Sequence, residues 1–221
     1  MAVQQFLMMG RAGLDNRNII TGSMWVWGSN ARGQNGTGNT TNVSVPIQLG
    51  SLTNWQNTMS PGTYEFNRVI VKSDGTLWSW GLNNSGTLGH GDTTERNSPV
   101  QVGSLTDWKE AGNFASSSAG VKTDGTLWAW GSNYIGQLGQ GNTTDRSSPV
   151  QVGSATDWEH ILIHRADTLI AMKTNGAIYY SGQGSYAGAS NVSSITQLGS
   201  ESGFVDAVAV GTASMVLWKE A

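Results

Sequence analysis

Hydrophobic residues occur along most of this chain in short runs that polar, glycine-rich segments separate. One pair of runs flanks Asp74-Gly75, and Asp-Gly between two β-rich runs is a strong short-range signal for a β-hairpin. In the run after this turn, Trp78 and Trp80 share one face of the expected strand, and smaller packing residues occupy the other face. Packing residues on both faces predict a strand enclosed between neighbouring sheets.

The run after this turn recurs along the chain, at residues 24–28, 77–81, 127–131 and 178–182. Successive copies lie about 50 residues apart, which is typical of propeller blades and longer than most helical repeats. We therefore predict an all-β propeller of about four blades with four strands each. In the fourth copy the tryptophans are replaced by Tyr179, Tyr180 and Phe204, and the loop that follows is shorter.

Tryptophans mark fixed positions in the repeat, because the first three copies align without a gap from the glycine of the recurring strand to a later tryptophan. Large aromatic side chains that recur at fixed spacing indicate a packed core. The tryptophans predicted to form this core are Trp25, Trp27, Trp55, Trp78, Trp80, Trp108, Trp128, Trp130 and Trp158.

The motifs of the repeat unit are, in order, Trp-x-Trp-Gly, an asparagine, a Gly-x-Leu-Gly-x-Gly loop, Ser-Pro-x-x-Val, and Lys-x-Asp-Gly, and several of their positions recur at fixed spacing in three copies. This order resembles the regulator of chromosome condensation (RCC1) repeat family over nearly all of residues 22–221. The resemblance implies a propeller of four-stranded blades, usually seven of them, whereas this chain has four copies. It also implies nucleotide exchange on a small GTPase or docking to chromatin, which are functions of the seven-bladed members.

The two ends of the repeat region predict how a ring could close. Lys219 aligns with Lys122 just before a hairpin turn, and Gly22 aligns with Gly75 inside that turn. The last strands and the first strands are therefore expected to complete one blade together, with pairing between two chains as the alternative. We predict an N-terminal arm at residues 1–20 and the propeller at residues 21–221.

Composition and charge narrow the classes of partner. The net charge is −3 and the 12 lysine and arginine residues are scattered, so we expect no nucleic-acid partner. The chain has no cysteine and therefore no disulfide or thiolate site. Residues 1–10 have no charged n-region and only a short apolar run, which predicts a soluble protein without a Sec signal or a membrane span.

No catalytic, cofactor or metal residues are predicted. Nucleophile and zinc motifs such as Gly-x-Ser-x-Gly and His-Glu-x-x-His are missing from the sequence, so we do not expect an enzyme. The glycine-rich loops are interpreted as turns rather than phosphate sites, because none leads into a helical pattern. His160 and His164 would share a strand face, but a metal site needs a third ligand.

Partner-binding residues are predicted in the repeat loops and the arm, and the partner is expected to be a protein. The predicted residues are Asn30, Arg32, Asn83, Asn84, His90, Asn133, Tyr134, Phe6 and Arg11. The first hypothesis is a non-catalytic structural or decorating component of a larger assembly, such as a virus or phage particle, because the Asn/Thr/Gly-rich repeats resemble those of phage-encoded proteins. The alternatives are a carbohydrate or host-surface binder, a GTPase regulator and an enzyme inhibitor; self-association and a cytoplasmic location stay open.

Overall fold

The computed structural model describes residues 21–56, 66–162, 167–184, 190–210 and 214–219, without the side chains of residues 205–218. The regular elements of these residues are seventeen β-strands. In chain order they are β1 (Thr21–Gly22), β2 (Trp25–Gly28), β3 (Val43–Gln48), β4 (Trp55–Gln56), β5 (Asn67–Val71), β6 (Leu77–Gly81), β7 (Arg96–Gln101), β8 (Trp108–Phe114), β9 (Ser117–Lys122), β10 (Leu127–Gly131), β11 (Arg146–Gln151), β12 (Trp158–Ile161), β13 (Thr168–Lys173), β14 (Ile178–Gly182), β15 (Val192–Gln197), β16 (Phe204–Val210) and β17 (Ser214–Lys219).

Apart from the short two-stranded pair of β1 and β4, these strands form five antiparallel sheets that follow one another in chain order. The first sheet is β2–β3, and the second is β5–β6–β7, which β4 joins through the bridge between Trp55 and Lys72. The third sheet is β8–β9–β10–β11, the fourth is β12–β13–β14–β15, and the fifth is β16–β17. The prediction of an all-β fold with four-stranded repeat units is confirmed for the middle of the chain.

The Asp-Gly turns are present where the sequence predicts them. Gly75 and Gly125 both have a φ of 76°, a left-handed conformation that glycine adopts without a steric cost. The Asp74 carboxylate accepts hydrogen bonds from the hydroxyl and the N–H of Thr76, and the hydroxyl bond is the main reason that the pKa of Asp74 is lowered. The turn residues are therefore explained by hairpin geometry alone.

Each turn also fastens its sheet to the next one. The Gly75 carbonyl accepts a hydrogen bond from the Trp108 N–H at 3.1 Å, and the Gly125 carbonyl accepts one from the Trp158 N–H at 3.0 Å. Strand β1 pairs with β4 at the corresponding place, with Gly22 opposite Trp55. Four clusters of buried hydrophobic residues fill the spaces between consecutive sheets. None of the described segments forms a helix long and apolar enough to cross a membrane.

The predicted closure of the ring is not seen in this chain. Among the described strands β2 pairs with β3 alone, and β17 pairs with β16 alone. The chain therefore has a half sheet at each end and three larger sheets between them. Residues 1–20, the predicted arm with Phe6 and Arg11, lie outside the described residues.

Candidate functional site

The outer edge of β2 is the most unusual surface of the described residues. The equivalent strands β6, β10 and β14 each lie between two neighbours, whereas β2 has a neighbour on one side. Trp25 is 55% exposed and Trp27 is 63% exposed. Large aromatic side chains are rarely left so accessible unless another molecule covers them.

These exposures correct the prediction that all nine repeat tryptophans are core residues: seven are buried or half-buried, but Trp25 and Trp27 are not. The reason lies in the packing between sheets. The Trp80 Nε1–H donates to the Gln34 carbonyl of the preceding loop at 3.0 Å, and the Trp130 Nε1–H donates to the Thr87 carbonyl at 2.8 Å. Trp27 occupies the same position in the first sheet, which no earlier sheet covers among the described residues.

The fourth sheet keeps this contact with a different side chain. Ser181 stands where Trp130 stands in the third sheet, and its hydroxyl donates to the Gln137 carbonyl at 3.1 Å. The donor between sheets is thus retained while the aromatic ring is lost.

A groove of about 530 Å³ opens beside this edge. Its apolar wall includes Trp25, Trp27 and Trp55, and its polar wall includes Gln34 and Asn35. On β3, Val45 and Ile47 are also exposed. We call the β2 edge with Trp25 and Trp27 the open edge.

The predicted loop residues divide into buried and exposed groups. Asn30, Asn83 and Asn133 have no exposed surface. The Asn83 side chain donates to the Asp92 and Thr94 carbonyls at 3.0 Å each and accepts from the Leu88 N–H at 2.9 Å. This corrects the prediction that these three asparagines face a partner, because each one ties its own loop together.

Asn83→Ala is expected to lower the free energy of unfolding by about 2 to 3 kcal/mol, because it leaves the buried Leu88 N–H and two carbonyls without a partner. Asn84→Ala is the matched control, since Asn84 is exposed and its loss is expected to cost under about 0.5 kcal/mol. Urea unfolding followed by tryptophan fluorescence measures both. Equal effects of the two substitutions would contradict the structural role of Asn83.

Arg32, Asn84 and Tyr134 are exposed, as a binding role requires. The Arg32 guanidinium is 3.2 Å from the Glu95 carboxylate, and the Tyr134 hydroxyl donates to the Asp167 carboxylate. Both contacts join neighbouring repeats across the surface. The role of these three residues in partner binding stays a prediction.

His90 is half-buried, with its Nε2 3.0 Å from the Ser79 hydroxyl. Burial, assisted by the positive charge of Arg96, lowers the pKa of His90 to about 4. The folded chain therefore holds this imidazole neutral at pH 6, whereas the unfolded chain binds a proton there.

We expect the contribution of His90 to stability to be complete above pH 6.5 and to be lost as the pH falls from about 6.5 to about 4, because only the unfolded state takes up the proton in this window. His90→Gln is the matched variant, since the third repeat carries Gln140 at the equivalent position. Urea midpoints at several pH values between 4 and 7.5 measure the difference between the two proteins. A difference that does not change with pH would contradict the neutral state of His90.

Three lysines of the Lys-x-Asp-Gly and Lys-x-Asn-Gly turns, which were not among the predicted site residues, each lie against two aromatic rings. The Lys72 Nζ is 4.5 Å from the Trp55 ring centroid and 3.5 Å from that of Trp78, and the Lys122 Nζ is 5.2 Å from Trp108 and 4.5 Å from Trp128. Lys173 repeats the arrangement with Trp158 and Tyr179. Each of these lysines lies two residues before the hairpin Asp or Asn, and this recurrence is the sequence signal that could have identified the contacts.

His160 has a structural environment. Its Nδ1 is 3.2 Å from the Glu110 carboxylate, which also accepts a hydrogen bond from the Ile161 N–H. Lys109 pairs with Glu159 beside it. Within residues that the structure describes, no three His, Asp or Glu side chains group as metal ligands, and His164 lies outside those residues.

Known proteins share the repeat found in this chain. The model of the Regulator of chromosome condensation (RCC1) repeat matches residues 21–59, 74–121 and 124–162, which is more than half of the chain. The zebrafish (Danio rerio) protein RCC2 homolog is 35% identical over 65 residues, which cover 29% of this chain and 13% of that protein.

Two solved structures share the fold. Human WBSCR16 superposes with a TM-score of 0.73 at 21% identity, covering 90% of this chain and 54% of that protein. Yeast RCC1 (Prp20), solved bound to Kap60, superposes with a TM-score of 0.68 at 14% identity, covering 95% of this chain and 55% of that protein. The chain therefore spans about half the length of these propellers.

Proposed function

The chain belongs to the RCC1 repeat family, and from this premise we propose that it is a non-catalytic propeller module that takes part in a larger protein assembly. The observation that carries the proposal is the open edge, where Trp25 and Trp27 are accessible and where β2 has no second neighbour among the described strands. Yeast RCC1 (Prp20), which shares the fold, is bound to the protein Kap60 in its structure, and this supports a protein as the kind of partner.

The open edge differs from three other sheet edges of the described residues. Strands β3, β7 and β11 form sheet edges that carry Pro46, Pro99 and Pro149, and proline cannot donate a backbone hydrogen bond. Natural proteins protect sheet edges with such prolines or with charged residues. Strand β2 has the sequence Trp-Val-Trp-Gly and carries neither. An unprotected apolar edge of this kind is suited to pair with a strand of a protein partner.

A structural or decorating role in a virus or phage particle is the narrower form of this proposal. Two features support this proposal. The repeats are rich in Asn, Thr and Gly, and the N-terminal segment 1–20 has no counterpart in any repeat. Loss of the protein from such particles when residues 1–20 are deleted is the expected result, and full retention would count against the segment as an anchor.

Carbohydrate binding is the second candidate, because one observation favours it. Exposed tryptophans can stack on sugar rings, and the groove beside Trp25 and Trp27 is also lined by the polar residues Gln34 and Asn35. A glycan array tests it directly: binding that Trp25→Ser abolishes would support it, and signals at background would remove it. Regulation of a small GTPase stays a third possibility by family membership alone, since the chain covers only half of its structural relatives.

The test of the main proposal compares the native mass of the tagged chain in extracts of the cells that make it. We expect the wild type to sediment well above its own 23.4 kDa and the Trp25→Ser/Trp27→Ser variant to sediment as a single chain. The variant is expected to fold, because both side chains are exposed. Tyr134→Ser is the control, since it changes an exposed aromatic residue away from the open edge.

Two results would overturn the proposal. One is a wild-type protein that sediments as a single chain, and the other is a Trp25→Ser/Trp27→Ser variant that stays in the same assembly as the wild type.

A further inference from the structure

We infer that the open edge is covered by β17 of a second copy of this chain, so that two copies complete each other's end sheets. This inference rests on the proposed function and names the partner at the open edge. The first and fifth sheets each have two strands. Strands β2 and β3 correspond to the last two strands of the third sheet, and β16 and β17 correspond to its first two strands. Phe204 faces Lys219 as Trp108 faces Lys122, which fixes this correspondence.

The three larger sheets supply a template for the missing pairing. In each of them the second and third strands meet in the same register, with Val71 opposite Leu77, Val121 opposite Leu127, and Met172 opposite Ile178. Transferred to the ends of the chain, this register places Trp218 opposite Met24 and Val216 opposite Val26. The pairing is antiparallel, as in the template.

The backbone N–H and C=O groups on the open edge are oriented to form this antiparallel pairing. The Leu49 N–H donates to the Met24 carbonyl at 2.8 Å, so residue 24 directs its backbone groups toward β3. Alternation along an antiparallel strand then directs the N–H and C=O groups of Trp25 and Trp27 toward the free side. Leu127 accepts from Val152 in the same way, and its neighbours bond to β9. The open edge therefore offers the hydrogen bonds that β10 uses.

Lys219 provides an independent observation. Each equivalent lysine lies against two rings, one from the first strand of its sheet and one from the third. Lys219 lies 6.0 Å from the Phe204 ring and its side chain is 51% exposed. The residue that corresponds to Trp128, the third-strand ring, is Trp25. A second copy would thus bring the exposed lysine and the exposed tryptophan together.

The curvature of the chain favours a second copy over closure within one chain. The described sheets superpose on propellers of which they cover 54% and 55%, so their arrangement is that of a ring about twice as long. Closure of one chain into four blades would require a tighter curve. Two copies joined at both ends give about eight blades, within the range that propellers adopt.

The experiment uses disulfide trapping, which is clean because the chain has no cysteine. Val26 and Val216 would form a pair without hydrogen bonds, with Cα atoms about 4.5 Å apart, a separation that a disulfide can bridge. The variants Val26→Cys and Val216→Cys are purified separately, mixed and oxidised. A disulfide between the two variants can only join two chains.

We expect the mixture to give a cross-linked dimer, and each variant alone to give at least tenfold less. The register control pairs Val26→Cys with Leu217→Cys, because a shift of one residue turns the side chain to the opposite face. This control is also expected to cross-link at least tenfold less. Light scattering of the wild type is expected to show twice the mass of one chain.

Three results would overturn the inference. They are no cross-link in the mixture, equal cross-linking in the register control, and a Val26→Cys/Val216→Cys double variant that cross-links only within one chain. If Trp25→Ser/Trp27→Ser still releases the chain from its assembly in those cases, the proposed function stands and the second copy alone is wrong.

Discussion

Replacing Trp130 with alanine is expected to lower the free energy of unfolding by about 3 to 5 kcal/mol. Trp130 is fully buried between the second and third sheets. Its ring lies edge to face with Trp108 at 5.9 Å between centroids, and its Nε1–H bonds to the Thr87 carbonyl. The substitution removes the ring contacts, leaves a cavity and leaves a buried carbonyl without its donor.

Trp27→Ala is the matched control, because Trp27 occupies the same strand position in the first sheet and is 63% exposed. Its effect on a single chain is expected to stay below about 1 kcal/mol. Urea unfolding at protein concentrations low enough to keep chains apart measures both. Equal losses of stability in the two variants would show that the burial of Trp130 between sheets does not add to the stability of the fold.

Gly86→Ala is expected to cost about 3 kcal/mol or more, the second large effect. Gly86 has a φ of 77°, and a Cβ atom there would lie 2.4 Å from the Ser147 Cα of the next sheet. The contact is with backbone, so β11 would have to move. The cost adds steric displacement to the strain of a left-handed alanine, which is about 1 kcal/mol.

Gly103→Ala separates these two causes. Gly103 has a φ of 62°, but nothing lies within 4 Å of a Cβ built on it. We expect it to cost about 1 kcal/mol, which is the strain alone. Thermal unfolding by circular dichroism compares the variants with the wild type. A Gly86→Ala protein as stable as Gly103→Ala would show that the loop and β11 are not in firm contact.

The local sequence pattern does not predict which loop asparagines are buried and which are exposed. Asn83 and Asn84 are neighbours of the same type, and the sequence analysis grouped both as binding residues. In the fold, Asn83 is fully buried and bonds to residues of its own loop, while Asn84 faces solvent. The path of the loop decides which of them turns inward, and that path depends on glycine conformations and on the neighbouring sheet.

The hairpins, the sheet repeat and the burial of seven of the nine predicted core tryptophans follow from the sequence alone, because these features depend on turn chemistry and on residue spacing within one unit. The exposure of Trp25 and Trp27, and the lack of a second described neighbour for β2 and for β17, depend on how the sheets are arranged in the fold. These features cannot be read from one repeat, because each repeat is buried by its neighbours. Identical residues therefore form core in the middle of the chain and open surface at its first sheet.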